Sequence, residues 1–82
     1  ALLLHLLAKE SGLKEGKLIG FLGDTHIYEN HVEGLKEQLT REPKQLPKIK
    51  TENFTSIFDW KYTDTIVEDY NPEPRIKFDI SV

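Results

Sequence analysis

The sequence predicts an α+β fold in which helices pack against a β-sheet. Two stretches have helical character and three have the character of extended strands, in the order helix, strand, helix, strand, strand. With 82 residues, the chain has room for one domain at most, and a chain this short buries only a modest fraction of its surface. We therefore expect its own hydrophobic core to be small.

The opening stretch, ALLLHLLAKESG, predicts a helix that ends near Ser11 or Gly12, where glycine can take the left-handed capping conformation. Apolar side chains surround most of this helix, so we expect it to be buried within a body larger than this chain can build. They are Leu2, Leu3, Leu4, Leu6, Leu7 and Ala8. The run lacks the flanks of a signal peptide and the roughly 20 apolar residues of a membrane span. Since the chain also contains no methionine, we expect a fragment or one piece of an assembly.

The next two elements are a strand and a helix. KLIGFLGDTHIY, at positions 17–28, is mostly apolar and predicts a buried strand. NHVEGLKEQLTR, at positions 30–41, places Val32, Leu35 and Leu39 on one helical face. Gly34 destabilises this helix by about 1 kcal/mol relative to alanine, so packing has to stabilise it.

Two extended segments complete the chain. The prolines of REPKQLPK predict an irregular connection at positions 41–48. SIFDWKYTDTIVEDY predicts a turn-like start and then a strand on which Trp60, Tyr62 and Ile66 share a face. We expect Trp60 and Tyr62 to belong to the core. After NPEP, the tail RIKFDISV alternates strictly, which predicts an extended segment with one face covered.

Composition excludes several function classes. A net charge of -3 gives no general attraction to nucleic acid or to an acidic membrane surface, so we expect neither DNA nor a membrane as partner. The chain has no cysteine, which rules out disulfides, thiolate zinc sites and a cysteine nucleophile supplied by its own residues. We expect a cytoplasmic location.

The ten residues LGDTHIYENH, at positions 22–31, concentrate polar side chains. The metallo-hydrolase pattern H-x-H-x-D-H fits with His26 and His31 at its ends, but Tyr28 and Asn30 then replace two of its four ligands. Neutral tyrosine and asparagine bind divalent metals poorly, so we predict no metal site.

Two other interpretations of this stretch stay open on the residues alone. His26 could be an ordinary core histidine, followed by an asparagine that begins a helix. Alternatively, His26 and Tyr28 lie two apart on a strand and project from the same face, with Ile27 packed behind them. An imidazole beside a phenol offers hydrogen bonds to a hydroxyl pair or to the edge of a sugar.

Five segments in order, ALLLHLLA, GDTHIYENH, LKEQLTREPKQLPK, SIFDW and DYNPEPRIK, resemble the C-terminal part of thymidylate synthase. The resemblance covers essentially the whole chain, and GDTHIY followed at this distance by REP-x-x-LP is a specific combination. It implies that residues 1–82 are the C-terminal segment of a single thymidylate synthase domain and do not form an independent domain. The helices would then pack against a mixed β-sheet that is part of a larger thymidylate synthase-like sandwich.

The same resemblance implies a methyltransferase. Deoxyuridine monophosphate (dUMP) becomes thymidine monophosphate (dTMP), and 5,10-methylenetetrahydrofolate donates both the one-carbon unit and the hydride, without a metal. Covalent catalysis of this type needs a thiolate, which has to come from residues outside this chain. No residue of the chain is therefore predicted to be catalytic. The expected partners are dUMP, folate, the rest of the enzyme and a second subunit in a homodimer.

Individual residues carry over from the family as follows. His26 and Tyr28 match positions that hydrogen-bond the 3′-hydroxyl of the deoxyribose, with Ile27 between them. Ser81 and Val82 match the tail that closes over the folate, although a serine stands at position 81 where the family often has alanine.

His5 and His31 match no ligand-binding position of the family. On its apolar helix, His5 is expected to be a buried, hydrogen-bonded core residue. Two other functions stay possible on the sequence: a non-catalytic binding or scaffold fragment, and a related pyrimidine nucleotide hydroxymethylase, which hydrates the one-carbon unit instead of reducing it.

Overall fold

The computed structural model of the chain describes residues 1–80, and these form the two helices and one small sheet of an α+β fold. Helix α1 runs over Leu2–Ser11 and ends at Gly12, whose φ of 67° and ψ of 24° are left-handed. Both the helix and its glycine cap confirm the sequence prediction, because a residue without a Cβ adopts this conformation at little steric cost.

Helix α2 runs over Val32–Leu39 and follows a single 3-10 turn at Glu29–His31. This agrees with the predicted helix apart from its first turn. At its end the Thr40 hydroxyl donates to the carbonyl of Glu37 at 2.6 Å. The backbone N–H of Thr40 donates to the same carbonyl at 3.1 Å, so the side chain and the main chain of Thr40 together close the last turn.

The sheet has two antiparallel strands, β1 at Lys48–Thr51 and β2 at Thr65–Glu68. Strand β2 lies inside the second predicted strand, but a 3-10 turn at Tyr62–Asp64 precedes it. The prediction that Tyr62 belongs to the core is wrong within the described residues, since this turn leaves it 81% exposed, whereas Trp60 is half-buried. Strand β1 was not predicted.

A chain of hydrogen bonds joins α1 to both strands. The indole N–H of Trp60 donates to Thr65 Oγ1 at 3.0 Å, and the Thr65 and Thr51 hydroxyls lie 2.7 Å apart across the sheet. Thr51 Oγ1 lies 2.9 Å from His5 Nε2, and His5 Nδ1 is bonded to the Glu15 carboxylate. His5 is hydrogen-bonded as predicted, but with its side chain 14% exposed it is partly rather than fully buried.

The strand predicted at positions 17–28 is wrong for this structure, because these residues are extended or bent and pair with no other strand among residues 1–80. A strand needs a neighbour to satisfy its N–H and C=O groups. Its apolar side chains lie in solvent: Leu18, Ile19, Phe21 and Leu22 are 64 to 95% exposed. Asp24 and His26 lie farther along the same uncovered segment.

The described residues enclose very little core. Only Leu6 and Ala8 are buried apolar residues. The radius of gyration is 17.2 Å, against about 12 Å for a compact domain of this length. No helix within residues 1–80 combines the length and apolarity needed to cross a membrane. The fold therefore presents a large apolar surface that its own residues do not cover.

Candidate functional site

His26 and Tyr28 lie side by side on the extended segment that leads into α2. Their ring centroids are 5.3 Å apart and the planes meet at 77°, an edge-to-face arrangement. Tyr28 has the extended φ and ψ of −67° and 144°. No strand forms here, but the backbone is extended enough that the side chains of His26 and Tyr28, two residues apart, lie next to each other. The sequence predicted this side-by-side arrangement.

Both polar ends are accessible to a ligand. The His26 side chain is 56% exposed and Tyr28 is 50% exposed. Asp24 Oδ1 lies 3.4 Å from His26 Nδ1, and its side chain is almost fully in solvent. The imidazole and the phenol can each donate and accept a hydrogen bond, so together they suit a hydroxyl ligand.

Ile27, between the two rings, is 61% exposed. Its predicted packing behind the pair is therefore wrong within the described residues. Ser81 and Val82, the two predicted tail residues, lie outside the part of the chain that the structure describes.

His31 extends the aromatic pair toward the C-terminal segment. Its ring lies edge to face with Tyr28 at 5.5 Å and with Phe78 at 5.1 Å. Its Nε2–H donates to the carbonyl of Asp79 at 2.6 Å, and Asn30 Nδ2 lies 3.5 Å from the same oxygen. Sequence reasoning missed this role of His31, because its partner is 48 residues away and no local pattern signals it.

Of the four side chains of the H-x-H-x-D-H comparison, His31 and Asn30 both turn a nitrogen to the backbone carbonyl of Asp79. The ring of Tyr28 lies edge to face with His26 and with His31. Among residues 1–80, no three His, Cys, Asp or Glu side chains are grouped so as to hold a metal ion. The arrangement serves hydrogen bonding and ring stacking.

Comparison with known proteins agrees with the sequence motif. The family model described as thymidylate synthase matches residues 1–82. Over its full length the chain is 48% identical to the thymidylate synthase of Mycoplasma pneumoniae, 48% to that of Listeria monocytogenes serotype 4a and 46% to that of Saccharomyces cerevisiae.

The chain spans 29%, 26% and 27% of the lengths of these three relatives, respectively. The similarity therefore concerns just over a quarter of each relative. With a family match along every residue and the motif GDTHIY at the candidate site, the chain belongs to the thymidylate synthase family.

Proposed function

We propose that this chain is part of an enzyme that converts dUMP to dTMP, with 5,10-methylenetetrahydrofolate as donor of the one-carbon unit and the hydride. The observation that carries the proposal is the exposed edge-to-face pair of His26 and Tyr28 within GDTHIY. The family match along the whole chain supports it. The nucleotide and the folate are then the partners, in a cytoplasmic homodimer.

In this proposal His26 and Tyr28 hydrogen-bond the 3′-hydroxyl of the deoxyribose, with Ile27 between them. Their task is positioning, because attack on the pyrimidine ring needs near-contact geometry that a loosely held nucleotide does not reach. Ser81 and Val82 act in the closing tail, which excludes water from the folate once both ligands are seated.

The chemical step divides between this chain and the rest of the enzyme. A thiolate adds to C6 of the pyrimidine, and C5 then attacks the folate methylene carbon. C5 loses its proton and the methylene carbon separates from the folate nitrogen. The tetrahydrofolate then gives a hydride to the new methylene group as the thiolate leaves C6, which yields dTMP and dihydrofolate. The chain has no cysteine, so the thiolate comes from elsewhere in the enzyme. This chain holds the sugar and closes the site.

We further propose that residues 1–82 are the C-terminal segment of one thymidylate synthase domain. The uncovered apolar side chains of positions 18–22 and the sparse core support this. Within such a domain the segment at 17–28 gains the strand partners that it lacks here. An exposed apolar surface of this kind marks an interaction site in a soluble protein.

The test uses the complete protein that carries this chain, with dUMP and methylenetetrahydrofolate. We expect dTMP and dihydrofolate to form in equal amounts, and Tyr28→Phe to weaken dUMP binding. Tyr62→Phe is the matched control, because it removes the same hydroxyl from a turn beyond β1 and should leave dUMP affinity unchanged. A hydroxymethylated product, no product, or equal dUMP affinities for the two variants would refute the proposal.

A further inference from the structure

The C-terminal segment at positions 75–80 is docked onto the beginning of α2. Phe78 is half-buried there, against the ring of His31, while its neighbours Lys77 and Asp79 have side chains 79% and 84% exposed. The Asp79 carbonyl accepts a short hydrogen bond from His31 Nε2. Two different kinds of contact therefore hold this segment at one place.

Gly34 makes room for the Phe78 ring. A Cβ added to Gly34 would lie 2.5 Å from Phe78 Cε1 and 2.9 Å from Cζ, closer than any real carbon contact. The ring thus occupies the volume that any other residue at position 34 would fill. This explains a glycine in the middle of a helix that would be more stable with alanine.

His31 also lies against Tyr28, the residue that the proposed function places on the nucleotide. One imidazole therefore contacts the sugar-binding pair through Tyr28 and the tail through Phe78 and Asp79. The His31 ring makes an edge-to-face contact with both Tyr28 and Phe78, so a shift of Tyr28 changes the position that suits His31 and, through it, the contact with Phe78.

We propose that His31 and Gly34 form a docking socket for Phe78 and that His31 is a positioning residue, which couples the seating of the nucleotide to the position of the tail. The coupling rests on the proposed function, whereas the socket does not. Nucleotide bound at Tyr28 fixes the Tyr28 ring, which in turn holds His31 in place. His31 then holds Phe78 and Asp79 in a position from which the tail can close over the second ligand.

Trypsin reports on the socket directly in the complete protein, since it cleaves after Lys77 only when the segment leaves its dock. The readout is the rate at which cleavage of the Lys77–Phe78 bond releases the peptide that begins at Phe78, measured by mass spectrometry with and without dUMP. His31→Ala and Gly34→Ala should each release it about tenfold faster, the effect expected from loss of one hydrogen bond or one well-packed ring.

Two further variants separate positioning from general destabilisation. His31→Gln keeps an N–H donor for the Asp79 carbonyl and should restore slow release without dUMP, but should lose the additional slowing that dUMP gives the wild type. Glu33→Ala changes an 86% exposed side chain on the same helix and should behave as wild type. Release rates of His31→Ala and Gly34→Ala equal to that of Glu33→Ala overturn the socket.

Kinetics test the coupling. His31→Ala should raise KM for the folate about fivefold or more while the Kd for dUMP changes less than about threefold, because ordering of the tail follows nucleotide binding. Equal changes in the folate KM and the dUMP Kd, or no change in either constant, would overturn the coupling. A wild-type protein that makes no dTMP refutes the proposed function instead, and the release rates without dUMP still decide the socket.

Discussion

The ring of Phe78 fills the space beside Gly34 in which every other amino acid carries its Cβ, since a Cβ placed there would lie 2.5 Å from Phe78 Cε1. This relationship joins residues 44 positions apart and fixes the C-terminal segment on the helix that follows His26 and Tyr28. A glycine that is unfavourable for the helix is therefore favourable for the tertiary contact.

A double-mutant cycle at these positions should show strong coupling. In the complete protein, Gly34→Ala should lower the free energy of unfolding by about 1–3 kcal/mol, the usual effect of overpacking. When Phe78→Ala has removed the ring, the same change should raise stability by up to about 1 kcal/mol, because alanine is the better helix former. Urea unfolding of the four proteins measures both values, and additive effects would contradict the contact.

His26 and Tyr28 should act together on nucleotide binding. His26→Ala and Tyr28→Phe should each weaken dUMP binding by about 1–3 kcal/mol, the range for a buried hydrogen-bond partner. Because the rings touch, the double variant should lose less than the sum of the single variants. Calorimetric titration with dUMP measures the three losses. Wild-type affinity in both single variants would show that neither residue binds the sugar.

Deletion of Val82 should impair turnover more than nucleotide binding. In the proposed function the tail closes after the nucleotide is seated, so its loss should leave the open site able to bind. Turnover and dUMP affinity measured on the same truncated protein test this. A protein that keeps wild-type values for both would contradict a role for Val82 in closure.

Thr65→Val should destabilise the complete protein by about 1–3 kcal/mol, because it leaves the indole N–H of Trp60 without an acceptor. Valine has the shape of threonine and suits a strand, so lost packing contributes little. Thr63→Val is the matched control, since Thr63 is exposed in the turn that precedes β2. Thermal unfolding compares the two, and equal Tm values would argue against the hydrogen-bond chain.

Stability should depend on Glu15 in the acid range. A hydrogen bond from its own backbone and a second from His5 hold the pKa of Glu15 below its ordinary value. A carboxyl with a lowered pKa stabilises the fold above the pH where the unfolded group titrates, and this stabilisation disappears as pH falls through the folded pKa. The wild type should therefore exceed Glu15→Gln in Tm at pH 6, by a small margin that vanishes at about pH 3.

A Tm difference between wild type and Glu15→Gln that persists or grows at the lower pH would contradict this assignment. The exposed position of Glu15 explains why only a small effect is expected, because water screens the ion pair.

Local patterns in the sequence predicted the helices well. Apolar spacing and a glycine cap predicted α1, and the spacing of Val32, Leu35 and Leu39 predicted α2. Local patterns suffice because a helix makes its backbone hydrogen bonds within itself. The strand at 17–28 failed for the converse reason. Its residues favour a strand, but the hydrogen bonds of a strand come from a neighbour that residues 1–80 do not supply.

The candidate site was likewise predictable in one part and not in the other. The pairing of His26 and Tyr28 follows from an extended backbone over three residues, and the sequence contains it. The pairing of His31 with Asp79 depends on how the chain returns after the sheet, and no spacing within either segment reveals it. Strand β1 is only four residues long and follows a proline-rich connection, so its short Lys48–Thr51 pattern gave too weak a signal.

The contact between Gly34 and Phe78 predicts a constraint on evolution. A lineage that gains a side chain at position 34 has to shift the ring at position 78 or carry a smaller residue there. The two positions should therefore vary together among relatives of this chain. The residue types at positions 34 and 78 would then indicate, for each species, whether an aromatic ring at position 78 docks the tail on this helix.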